Sequence, residues 1–142
     1  MRPSRDNHLI TRAYGSLRRR ETLGRNGRIG RPGAMLRLSE DGNSVSEEWN
    51  DKVLDVHHGG VVLIDGYIYG SNWLSNGDGN WCCIDWNTGK TMWEEHWNNK
   101  GSIIAAEGLL YIYDERRGTV GILRPNPEKF DLISSFSFKG GS

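Results

Sequence analysis

The feature that most limits how this chain folds is a hairpin signal that recurs after 42 residues. Val61-Val62-Leu63-Ile64, the turn Asp65-Gly66 and Tyr67-Ile68-Tyr69-Gly70 form the first copy; Ile103-Ile104-Ala105-Ala106, Glu107-Gly108 and Leu109-Leu110-Tyr111-Ile112-Tyr113 form the second. Short apolar runs joined by two-residue turns ending in Gly predict antiparallel hairpins, not helices. The stretch between them holds two further runs. A polar loop from Ser71 to Asn80 leads into Trp81-Cys82-Cys83-Ile84-Asp85-Trp86, and Asn87-Thr88-Gly89-Lys90 reverses the chain into Thr91-Met92-Trp93-Glu94.

Four strands per unit at a period of ~40–45 residues is the spacing of β-propeller blades, whereas helical repeats of that length carry a 3.6-residue apolar period. The expected fold is therefore all-β, made of antiparallel four-stranded propeller blades. One blade is expected over residues 59–99 and a second over 101–138, where Thr119 to Leu123 is followed by a turn at Pro125-Asn126-Pro127 and a half-buried outer strand from Phe130 to Phe138. Half a blade is expected over 34–50, from Met35-Leu36-Arg37-Leu38 and Val45 to Trp49. Two and a half blades leave the propeller incomplete, so the open sides call for the remaining blades of a parent propeller or another protein chain as partners.

Composition divides the chain differently from the repeat. Residues 1–33 hold nine Arg against Asp6 and Glu21, a charge of +7 that the rest of the chain balances. With few large apolar residues and no periodicity, this segment is expected to be poorly ordered. Its arginines lack interleaved aromatics or a helical pattern, so no nucleic-acid partner is assigned. There is neither a secretory leader pattern nor an apolar run of eighteen residues, and no membrane span is expected. The two cysteines are adjacent and cannot frame long-range disulfides.

The segment Ile84-Asp85-x-x-Thr88-Gly89-x-x-x-Trp93 resembles the signature of pyrroloquinoline quinone-like repeats, the quinoprotein alcohol dehydrogenase-like β-propellers. The resemblance covers residues 34–138. Asp85, Thr88, Gly89 and Trp93 are its structural motif positions, and it implies that Trp93 packs between neighbouring blades. The flanking copies are degenerate: the preceding one keeps Leu36, Leu38, Asp41, Gly42 and Trp49 at altered spacing, and the following one has Pro127-Glu128 in place of Thr-Gly. The resemblance also implies a periplasmic or secreted setting. Because a propeller is a scaffold that hosts unrelated functions, it supports the fold more than any activity.

Four residues are candidate ligand contacts. His57 and His58 precede the first strand of the central blade, beside Asp55, although adjacent side chains of an extended segment point apart and suit joint ligation of one metal poorly. Trp73 and Trp81 flank an Asn/Asp-rich loop suited to a small molecule or glycan. Some quinone-dependent alcohol dehydrogenases carry an adjacent-cysteine disulfide beside the cofactor, but in a strand Cys82 and Cys83 face opposite ways and read better as buried thiols. No phosphate loop, nucleophile elbow, zinc-spaced set or catalytic dyad is recognisable, so no catalytic or metal-binding residue is assigned. The expected function is a non-catalytic propeller module acting as an interaction or ligand-binding scaffold, with no cofactor. The alternatives are part of a quinone-dependent alcohol or sugar dehydrogenase, which alone would require pyrroloquinoline quinone with Ca²⁺, and a carbohydrate-binding or processing propeller.

Overall fold

The computed structural model describes residues 8–12, 33–56 and 59–138. Among these, eleven strands and no helix are found. Three antiparallel sheets follow one another along the chain. The first holds β1 (His8–Arg12), β2 (Gly33–Leu38) and β3 (Val45–Asp51) in that order. The second is a four-stranded meander of β4 (Val61–Ile64), β5 (Tyr67–Ser71), β6 (Trp81–Asp85) and β7 (Thr91–Glu95). The third repeats it with β8 (Gly101–Ala106), β9 (Leu109–Asp114), β10 (Thr119–Arg124) and β11 (Asp131–Ser137).

The recurrent hairpin closes as the sequence predicts. Asp65 and Gly66 have φ of 49° and 81°, and Glu107 and Gly108 have 52° and 75°. Two consecutive positive φ values give the turn whose twist matches that of paired strands. Ile64 thereby pairs with Tyr67, and Ala106 with Leu109.

The three sheets share a second device. In each, the ladder between the last two strands slips by one residue at the same place: between Met35 and Leu36 against β3, Cys83 and Ile84 against β7, and Ile122 and Leu123 against β11. The extra residues are Glu48, Met92 and Ile133. Beyond each bulge, Met35 faces Trp49, Cys83 faces Trp93 and Ile122 faces Ser134. The three positions are thus equivalent in backbone terms, including in the copies whose sequence is degenerate.

Of the basic N-terminal segment, expected to be poorly ordered, residues 1–7 and 13–32 lie outside the described residues, and His8–Arg12 form a strand. This strand, β1, pairs with β2 from His8 opposite Arg37 to Arg12 opposite Gly33. The open ladder groups of β2 give a short Leu-Ile-Thr run the partners that make a strand worth ordering. The expected half blade over 34–50 is therefore part of a three-stranded sheet, with β1 in the place that β5 and β9 take in the other two.

The sheet β4–β7 is covered on both faces. Tyr69, Trp81 and Cys83 pack with Ile103, Leu110, Ile112 and Leu123 of the third sheet, while Val62, Ile64, Met92, Trp93, Trp97 and Phe130 close around them. On the opposite face Ile68, Cys82 and Ile84 pack with Leu54, edged by Trp49, Val53, Val56, Val61 and Trp86. Each fully buried large apolar side chain contributes about 2 kcal/mol; on the first of these faces the cover is the third sheet, on the second it is the β3–β4 connection with Trp49 at its edge. The outward face of β8–β11 is different: Ile104 is 63% exposed, and Tyr113, Phe136 and Phe138 are exposed beside it.

Candidate functional site

The motif turn is built around one carboxylate. Asp85 Oδ1 accepts from Asn87 N (3.0 Å), Thr88 N (2.8 Å) and Thr88 Oγ1 (2.8 Å), so the side chain organises the loop in place of a backbone partner. These donors, Thr88 first, hold its carboxyl below the ordinary range. Asp41 plays the same part in the first sheet, accepting from Ser39 Oγ, Asn43 N and Asn43 Nδ2, which lower its pKa to about 2. Asp41 precedes Trp49 by eight residues, as Asp85 precedes Trp93.

Those tryptophans join the sheets. Trp49 Nε1 donates to Trp86 O (2.9 Å), across to the β6–β7 turn. Trp93 Nε1 donates to Asn126 O (2.8 Å), in the β10–β11 turn, and stands edge-on to Phe130 at 5.6 Å. The same side chain of one sheet therefore docks on the same turn of the next, twice. Gly89 shows how tight this joint is: a Cβ there would lie 2.6 Å from the Trp49 ring. Gly89 and Trp93 thus lie in the joints between sheets, while Asp85 and Thr88 close the turn itself.

The opposite end of the sheets carries the polar loops. Of the candidate ligand residues, His57 and His58 lie outside the described residues. Their neighbour Gly59 presses its backbone on Gly101, where a Cβ would fall 1.8 Å from Gly101 O. Trp73 is half-buried and its backbone N–H donates to Asp55 O (2.9 Å), which brings the loop after β5 against the loop before β4. Trp81, expected to face outward, is instead only 1% exposed. As the first residue of β6, opposite Ser71, it falls on the face covered by the third sheet, with its indole N–H on Trp97 O (3.2 Å). The structure thus separates the candidates: Trp73 stays at the loop end and Trp81 belongs to the core.

A polar network around the same loop was not anticipated from the sequence. Glu94 Oε1 accepts from Asn72 Nδ2 and Asn80 Nδ2, each at 2.8 Å, and Asn80 Oδ1 lies 3.1 Å from His96 Nδ1. Lys100 is buried, with Nζ 3.1 Å from both Ser75 O and Asn76 O and 2.7 Å from Glu115 Oε1. Asn99 Nδ2 and Arg116 Nη1 both reach Gly77 O. The loop from 72 to 80 is therefore held by cations and amides that converge on its carbonyls. Asn-Asn-Lys-Gly before a strand reads as an ordinary solvated turn, so no pattern in the sequence marks Lys100.

Burial pushes the carboxyl of Asp51 above its usual range, against the N–H groups of Leu54 and Val53 that it accepts from, and the nearby carboxylates of Asp55 and Glu94 add to this. The thiols of Cys82 and Cys83 are free and buried on opposite faces of β6. Desolvation raises both, Cys83 to about 12, which keeps them protonated at neutral pH. Among the described residues no group of three His, Cys, Asp or Glu is placed to hold a metal, and no helix is long and apolar enough to cross a membrane. No protein-family model matches this chain, and no curated protein matches it significantly.

Proposed function

We propose that the chain is a non-catalytic module of β-propeller repeats whose stacked sheets serve as an interaction or ligand-binding scaffold. The observation that carries this reading is the recurrence of one joint: a bulge at the same ladder position in all three sheets, followed in two of them by a tryptophan whose N–H docks on the next sheet's turn. A unit that buries a face against a neighbour of its own kind follows the logic of repeat architectures. Ile104 and Tyr111 of the third sheet stand where Val62 and Tyr69 stand in the second, whose face the next sheet covers. A further sheet of the same kind is thus the natural occupant of the exposed face, in line with the resemblance to quinoprotein-type propellers. The polar loop end around Trp73 is the surface on which a small molecule or glycan would be held.

The test is a tryptophan-fluorescence titration with pyrroloquinoline quinone, with and without Ca²⁺, beside urea unfolding of a chain lengthened after residue 138 by a second copy of residues 59–138. A scaffold gives no saturable quenching, and the added sheets raise the unfolding midpoint by covering the exposed face. Saturable quenching that depends on Ca²⁺ would replace the scaffold with a quinone-dependent dehydrogenase. An unchanged midpoint would mean that the face does not accept a further repeat.

A further inference from the structure

The three sheets end, on the side of their last strand, in edges of unlike chemistry. β3 carries Glu47 and Glu48, and β7 carries Glu94 and Glu95. Paired acidic residues on an edge strand oppose its pairing with another copy, because like charges then meet across the new ladder. β11 has no such protection: from Leu132 to Phe138 it reads Leu-Ile-Ser-Ser-Phe-Ser-Phe, without charge, proline or glycine. Every residue of that run is exposed, and Phe136 and Phe138 stack edge to face at 5.5 Å on its surface.

β11 is hydrogen-bonded to β10, and among the described residues no strand pairs with its other edge. Alternate N–H and C=O groups along that edge are ladder groups left to solvent. The first strands of the sheets offer less: β4 has only four residues, and β8 packs beside β4 and β5 of the neighbouring sheet. A run of seven uncharged residues on an open edge, with Leu132, Ile133, Phe136 and Phe138 apolar and the three serines small and neutral, carries nothing that opposes pairing with a copy of itself.

We propose that β11 is a self-association edge, at which two copies of this chain pair their β11 strands antiparallel and join two sheets into one continuous sheet. The partner is a second copy because the pairing groups are backbone and the facing side chains, Ser and Phe, are neutral and serve both strands alike. A two-fold arrangement uses once the one such edge that each copy has among the described residues, and closes. Self-association through the edge leaves the sheet face free and does not depend on the propeller reading.

The test is light scattering over a dilution series of the full chain, with Ser134→Lys on β11 and Ser102→Lys on β8 as a control. The scattering mass of the natural chain is expected to double with concentration, that of S134K to stay at one chain, and that of S102K to double as before. Circular dichroism reports whether each variant is folded. Should S134K not fold, Ser135→Cys gives the same information: under mild oxidation it forms a disulfide-linked dimer, and Ser102→Cys does not. A natural chain that stays monomeric, a dimer lost in S102K but kept in S134K, or a mass that climbs past two chains would each overturn the proposal.

Discussion

Replacing Gly89 by Ala tests the inter-sheet joint most directly, because the structure separates its two costs. Gly89 has φ of 71°, a conformation that costs an L-residue ~1–2 kcal/mol. Its new methyl would also sit 2.6 Å from two atoms of the half-buried Trp49 ring, and a clash of that kind costs ~1–3 kcal/mol in displaced packing. If the ring moves, its hydrogen bond to Trp86 O weakens, for another ~1 kcal/mol. The expected loss is therefore ~3–6 kcal/mol. Gly66→Ala and Gly108→Ala are the controls, with φ of 81° and 75° and nothing within 4 Å of the added atom, so each pays only the backbone cost. In urea unfolding followed by fluorescence and circular dichroism, G89A should unfold ~1 M or more below the two controls, given slopes of ~1–3 kcal/mol per M. Truncating Trp49 to Leu should remove the excess, leaving G89A no worse than G66A in that background. A G89A midpoint equal to that of G66A in the natural background would refute the stacked joint.

Two further outcomes follow from the buried polar groups. Lys100→Met removes a cation held by two carbonyls and Glu115; because Glu115 is partly exposed, the loss should sit near ~2–3 kcal/mol, below the usual cost of breaking a buried pair, with faster amide exchange across residues 72–80. Exchange confined to other loops would argue against Lys100 as the anchor of that loop. Cys82 and Cys83 should stay silent to a thiol reagent such as Ellman's in the folded chain and react together in urea, since burial disfavours both thiolates; rapid labelling of either thiol without unfolding would show that β6 is accessible.

The parts of the fold that could be read from residues are those set by local chemistry. Asp65-Gly66 and Glu107-Gly108 fix hairpins through their own backbone angles, and the Asp85 turn is closed by its own side chain. The sheet order follows because each strand meets the next through a short connection. What was not legible depends on distant partners. β1 exists because β2 offers an edge, across some twenty residues of intervening chain. Trp81 lies beside a polar loop in sequence, and only the third sheet decides that it is buried. The bulges hide for another reason: one extra residue reverses the alternation of the last strand, so Ser134 looks unrelated to Trp49 and Trp93 until the ladders are paired.

That equivalence also shows how the third sheet differs from the two before it. At the position where the first and second sheets place a tryptophan, the third has Ser134, which has no indole to send to a following turn. Phe136 and Phe138 supply the aromatic area instead, two and four residues further along the strand, and neither carries a donor. On the proposed reading, a sheet laid on this face would be held by apolar contact with Ile104, Tyr111, Ile122 and Phe136, without the directional hydrogen bond that fixes the first two joints. Directional bonds buried in an interface set its register, while apolar contact alone tolerates sliding. The two internal joints are therefore the rigid part of the array, and the outward face of β8–β11 is the surface that accepts partners with the least geometric demand.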